Sequence, residues 1–191
     1  MKSKFKISPN CQMRARVLSE LVPLNSIGAE IGVFKGEFSR AILEIVQPKR
    51  LHLIDPWYLF GENWDWAQND KSTINALIGV LDSFRWELCN RSVELNIGYD
   101  FEVLEGIPDN YFDWVYLDTS HRYLDTLKEL ELLKNKIKDS GVIVGDDWYS
   151  GKNELHHGVY QAVHKFYAIN QFDLIYANDE NRQWAIKKKN E

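Results

Sequence analysis

Cysteine is scarce: the 191 residues hold two, Cys11 and Cys89, too few for a disulfide framework and not spaced as zinc ligands. A reducing, cytoplasmic setting is the expectation. No apolar run approaches the ~18 residues that cross a bilayer. The opening MKSKFKISPN carries positive charge with no apolar stretch behind it, so neither a membrane span nor a secretory signal is expected. No block of Lys and Arg lies along a helix face, and 23 basic against 28 acidic residues leave a net charge of −5. Nucleic acid is therefore a disfavoured partner. The basic cluster Lys187 to Lys189 reads as a solvated tail. Repeats, linkers and low-complexity tracts are missing, so one domain spanning 1–191 suffices. Missing too is the GxGxxG fingerprint of dinucleotide binding.

Hydrophobic periodicity supplies the frame. Met13, Val17, Leu18 and Leu21 fall at helical spacing in a lead-in helix over 11–22, stopped by Pro23. IGAEIGVF reads as a strand, Gly36 as part of a turn, and FSRAILEIV as a helix. RLHLIDP makes a second strand that ends at Asp55 and completes a β-α-β unit. An aromatic-rich insertion over 56–90 follows, and its second half, TINALIGVLDSFRWEL, reads as one helix. SVELNI and YFDWVYLD are the third and fourth strands, and RYLDTLKELELLKNKI is an amphipathic helix. SGVIVGDD is the fifth strand and HGVYQAVHKFYA the next helix. FDLIYA and QWAIKK, joined by NDENR, form a closing hairpin. The alternation specifies an α/β fold: a doubly wound, mostly parallel seven-stranded sheet with an antiparallel last strand and helices on both faces.

In such sheets ligands bind beyond the carboxyl ends of the strands. The residues there are Gly32 to Gly36, Asp55, Asp118, Asp146 and Asp147. Glycine at a strand-to-helix turn lets backbone approach a ligand, and the helix end favours a negative group; a tight turn alone would use the same residues. Asp55 stands where a carboxylate accepts from ribose hydroxyls, although an Asp-Pro turn would also explain it. Together the two features favour an adenosine-containing cofactor.

Taken jointly and in order, EIGVFKGEFS, LIDPW, FDWVYLDTSHRYLDTLKEL, SGVIVGDDWYS and GVYQAVHKF resemble the class I S-adenosylmethionine-dependent methyltransferases. Within them they look like the metal-dependent, macrocin O-methyltransferase-like group, over Glu30 to about Phe166. The resemblance implies a Rossmann-like methyltransferase fold and S-adenosylmethionine as cofactor. It implies Glu30, Gly32 and Gly36 at the methionine end and Asp55 on the ribose, with Val33, Phe34, Trp57, Tyr99 and Asp100 completing the cofactor set. Tyr99 departs from the acid or small polar residue that relatives often carry beside adenine.

Asp118 ends the fourth strand and Asp146 and Asp147 end the fifth, so three carboxylates converge if these strands are neighbours. Bare, they repel and lose solvation. An oxygen-only set suits a hard divalent cation, magnesium first, and the resemblance agrees; a turn or helix-cap acid is the plain alternative for Asp147. A coordinated cation would lower the pKa of a substrate hydroxyl. His121, three residues after Asp118, is the candidate general base, with helix capping as its structural alternative. His156 and His157 are second candidates, His164 reads as structural, and His52, inside a strand, has no assigned role. Trp57, Trp64 and Trp66 read either as a lid over a planar or sugar acceptor or as packing and a dimer contact, which leaves room for a homo-oligomer. The expected function is metal-assisted O-methylation of a small hydroxylated acceptor, a sugar or natural product. A nicotinamide-dependent oxidoreductase and a non-catalytic adenosyl-cofactor-binding protein are the alternatives.

Overall fold

Ser8 starts the first helix, α1 (Pro9–Leu21): its hydroxyl accepts from the Cys11 N–H at 3.3 Å, and Pro9 occupies a first-turn position where a missing N–H costs nothing. The computed structural model describes residues 7–58 and 72–189. The buried face of α1 is Cys11, Arg14, Ala15 and Leu18, whereas Met13, Val17 and Leu21 are only half-buried. The expected apolar stripe is thus rotated, and a charged residue sits in its middle.

The remaining elements follow in chain order: β1 (Ile27–Ile31), α2 (Glu37–Ile45), β2 (Arg50–Asp55), α3 (Ser72–Ser83), α4 (Arg85–Cys89), β3 (Val93–Ile97), α5 (Asp100–Gly106), β4 (Phe112–Leu117), α6 (Tyr123–Lys136), β5 (Ile137–Gly145), α7 (His157–Ile169), β6 (Phe172–Asn178) and β7 (Gln183–Lys188). The sheet order is β3-β2-β1-β4-β5-β7-β6. β7 runs antiparallel to both β5 and β6, and the other pairings are parallel. The short connection between β6 and β7 cannot hold a crossover helix, which forces the reversal. The strand order turns outward in both directions from the β1–β4 pair, and a crevice at such a point lies above the carboxyl ends of these two strands.

Both faces of the sheet are covered. Trp114 and Tyr116 of β4 join a core with Ala15, Leu18 and Phe38 from α1 and α2. Val115 and Leu117 point the other way, into a core with Leu130, Val159 and Val163 from α6 and α7. Burial on both faces is why the central strands read as nearly unbroken apolar runs.

Three sequence expectations change. The helix expected over TINALIGVLDSFRWEL divides into α3 and α4 at Phe84, whose ring is fully buried. Helix α5 was not anticipated; it is short, and Asp100 and Glu102 in its first turn suit the positive end of the helix dipole. Lys187 and Lys188 belong to β7, in keeping with the QWAIKK strand and not with the tail reading of Lys187 to Lys189, and Lys188 donates to the Ile137 carbonyl at 3.0 Å. Trp64 and Trp66 lie outside the described residues. Among the described residues no helix is long and apolar enough to cross a membrane.

Candidate active site

The turn after β1 is held from below. One oxygen of Asp55 accepts from the N–H groups of Val33 and Phe34, both at 2.9 Å. Burial raises the Asp55 pKa even against these two donors. Trp57 donates its indole N–H to the Phe34 carbonyl at 2.7 Å and is 1 % exposed; it braces the turn and offers no face to a ligand. Phe34 and Gly36 both take left-handed backbone, with φ of 51° and 75°, and Gly36 opens α2. Gly32, also left-handed, packs its Cα against the Asp118 carbonyl. Its missing side chain therefore serves the approach of β4 as much as that of any ligand.

The sheet ladder continues one step past β1, β4 and β5. The Asp118 N–H donates to the Ile31 carbonyl at 2.9 Å, and the Asp146 N–H to the Leu117 carbonyl at 3.2 Å. Asp118 and Asp146 are neighbours for that reason. Arg14 of α1 then reaches across the ring of Phe38, 4.3 Å from its centroid, and forks between them. Its terminal nitrogens lie 2.6 Å from Asp118 Oδ2 and 3.1 Å from Asp146 Oδ2, while Nε donates to the Tyr116 hydroxyl at 2.9 Å. The Tyr116 hydroxyl donates to Gln183 Oε1, and the Gln183 amide donates to Asp146 Oδ1. On the other side, His121 Nε2 lies 3.0 Å from Asp118 Oδ1 and 2.9 Å from Asp147 Oδ2. Both His121 and Asp147 hold left-handed backbone, φ 58° and 62°, strain of the kind that clusters at functional sites.

The charges respond. Burial pushes Asp118 up, but Arg14 and His121 outweigh it and hold its pKa at about 2. His121 is lowered by burial and raised far more by Asp118 and Asp147, to about 10. Asp146 is raised to about 6 by burial together with its acidic neighbours, against the pull of Arg14. Glu30, 1 % exposed and in the field of Arg14, Asp118 and Asp55, is pushed by burial to about 8. Its Oε2 is buried with no hydrogen bond among the described residues, and the nearby Ser39 hydroxyl pulls slightly against the rise.

Of the other expected residues, Tyr99 is exposed and meets Tyr58 edge-on at 6.4 Å. Asp100 turns inward, buried near Glu129, whose carboxyl is raised by burial and by Asp100. His156 packs its ring 4.5 Å from that of His121. His157 bonds the Tyr149 carbonyl through Nδ1 at 2.8 Å and stacks on Tyr160. With Tyr123, Ser150 and His164 these two rings line a groove of about 480 Å³. His52 is buried in β2 against the Tyr111 hydroxyl. Arg14 and Gln183 are the site residues that sequence reasoning missed. The available signal was Arg14 lying at helical spacing between Cys11 and Leu18, where a charge needs partners.

The unbonded oxygen of Glu30 fits the ammonium end of an amino-acid-bearing cofactor, whereas the N–H groups of Gly32, Val33, Phe34 and Gly36 are already bonded within the protein. A metal fits less well. One oxygen each from Asp118, Asp146 and Asp147 lie within 4.8 Å of one another, as do ligand atoms of His121, Asp147 and His156. The first set suits a hard cation in chemistry but not as arranged, because Arg14 already occupies an oxygen of Asp118 and one of Asp146.

Residues 29–148 match the family described as a methyltransferase domain. No curated protein matches the chain in sequence. A Corynebacterium glutamicum protein of known structure superposes with a TM-score of 0.69 at 14 % identity, covering 94 % of this chain and 82 % of its own. An O-methyltransferase from Bacillus cereus, solved with S-adenosylhomocysteine, superposes at 0.61 and 14 % identity, covering 98 % of this chain and 84 % of its own. A spermidine synthase, solved with a transition-state analogue, superposes at 0.60 and 16 % identity, with 96 % of this chain on 58 % of its own. At such identities these likenesses concern the fold alone.

Proposed function

The chain belongs to the methyltransferase-domain family, and on that premise we propose that it transfers a methyl group from S-adenosylmethionine to a hydroxyl oxygen of a small acceptor. The observation that carries the oxygen specificity is the His121 imidazole, bonded to Asp118 and Asp147 at the ends of adjacent strands and on the same edge as the glycine turn. When bound, the sulfonium supplies an activated methyl group. Glu30 receives the cofactor's ammonium, the turn from Gly32 to Gly36 with its braces Asp55 and Trp57 receives the methionine and ribose portions, and Tyr99 flanks the adenine.

His121 takes the hydroxyl proton. It rests as an imidazolium between two carboxylates, so it must first lose a proton, and a cation brought near it favours that loss. The groove on α7, with the stacked rings of His157 and Tyr160, has faces that suit a sugar or a planar natural product, although neither His121 nor the three carboxylates line it. The metal-assisted form of the reaction, with magnesium on Asp118, Asp146 and Asp147, draws support from the convergence of three oxygens and is opposed by Arg14. A nicotinamide oxidoreductase is disfavoured by the family match and by the missing GxGxxG.

The test is release of S-adenosylhomocysteine on incubating the protein with S-adenosylmethionine and panels of glycosides and phenols. Turnover that falls at least a hundredfold in His121→Gln, with S-adenosylhomocysteine affinity retained, supports the reading. Transfer to thiol or amine acceptors only would remove the O-methyl assignment.

A further inference from the structure

The three carboxylates at the top of the sheet have a resident cation. We infer that Arg14 takes the place a divalent metal would hold between Asp118 and Asp146, so that this site works with a guanidinium built into the chain. The inference rests on reading these strand ends as the reacting edge of the site.

The geometry excludes sharing. A hard divalent ion sits ~2.1 Å from carboxylate oxygens, and one oxygen of each acid, Asp118 Oδ2 and Asp146 Oδ2, lies 2.6 and 3.1 Å from Arg14 nitrogens. An ion on these two oxygens would meet the guanidinium at contact distance. The arginine has nowhere to go: its side chain is 10 % exposed, its plane lies over Phe38, and its third anchor is the buried Tyr116 hydroxyl. Moving it away would strand a buried charge. The other oxygens are also engaged: Asp118 Oδ1 and Asp147 Oδ2 by His121, and Asp146 Oδ1 by Gln183. Five of the six carboxylate oxygens thus face a donor from the protein.

A planar, always-charged fork is also better suited than a lysine to bridging two carboxylates. Arg14 and Gln183 both lie outside the family match at 29–148, so this compensation comes from the lead-in helix and the last strand of this chain.

The test titrates Mn²⁺ into the protein and follows free ion by electron paramagnetic resonance, with and without S-adenosylhomocysteine. The wild type is expected to show no saturable Mn²⁺ binding below 1 mM that Asp146→Asn removes, an upper bound on the order of weak carboxylate sites. Arg14→Met, which keeps an unbranched apolar stem but neither the charge nor the donors, is expected to gain at least tenfold in Mn²⁺ affinity, and the gain should vanish in the Arg14→Met, Asp146→Asn double variant. A merely structural arginine would not create a metal site. Wild-type binding lost in Asp146→Asn overturns the inference, as does a folded Arg14→Met protein that binds no Mn²⁺. Binding that Asp146→Asn leaves unchanged lies elsewhere, and the Arg14→Met gain then decides. Should Arg14→Met not fold, Arg14→Gln carries the same expectation. Failure to bind S-adenosylhomocysteine would count against the methyltransferase reading and leave the metal result standing.

Discussion

A methyl group added to Gly32 would lie 1.8 Å from the main-chain carbonyl oxygen of Asp118. That single approach ties the turn after β1 to the acid at the end of β4, so the two halves of the candidate site cannot move independently.

Gly32→Ala is therefore expected to destabilise the protein by about 3 kcal/mol, from left-handed backbone and overpacking together. For a chain of this size that is a fall of roughly 10 °C in Tm. Thermal denaturation followed by circular dichroism reads it; an unchanged Tm would show that β4 does not press on the turn.

Asp55 holds two N–H groups of the same turn on one oxygen. Asp55→Ala should cost about 1–3 kcal/mol of stability and weaken S-adenosylhomocysteine binding more than tenfold. Asp55→Asn, which keeps a carbonyl acceptor, should lose less of both. Equal losses in the two variants would contradict the bracing role.

Glu30 makes stability depend on pH. Its ordinary value is 4.5 and its folded value about 8, so between these the folded chain keeps a proton that the unfolded chain has lost. Stability contributed by this group is full below 4.5, falls as pH rises to about 8, and is level above that. Urea denaturation of Glu30→Gln at pH 5 and pH 8.5 should show a smaller decline than the wild type. Parallel declines would mean that Glu30 ionises normally.

His121 has the opposite chemistry with the same sign. Its folded pKa of about 10 lies above the ordinary 6.5, so its contribution is complete below 6.5 and disappears as pH rises through 10. The ring resonances of His121 should report imidazolium at pH 8. Asp147→Asn, which removes one of two acidic partners, should bring the midpoint down. A wild-type midpoint near 6.5 would free His121 from both carboxylates.

Much of this arrangement was legible in the sequence because it follows from period and punctuation. The strands ending in Asp55, Asp118 and Asp146 carry their acids just past apolar runs, and the strand order brings Asp118 and Asp146 side by side as neighbouring ladder ends. The compensation of those acids was not legible. Arg14 lies over a hundred positions from Asp118 in the chain, and only the packing of α1 on α2 brings it there. Of the two readings open for Trp57, lid or packing, the buried ring and its hold on the Phe34 carbonyl favour packing, and that contact with a turn more than twenty positions away was not legible. The turn that stops the α3 helix at Phe84 depends on burial beneath Gly36, which local propensity does not contain.

The most direct measurement is calorimetric titration of the protein with S-adenosylhomocysteine beside a titration with NAD. Saturable binding of S-adenosylhomocysteine that weakens in Asp55→Ala, with no heat from NAD, is the predicted result. Binding of NAD without S-adenosylhomocysteine would contradict the assignment of the glycine turn, Glu30 and Asp55 to a methyl donor.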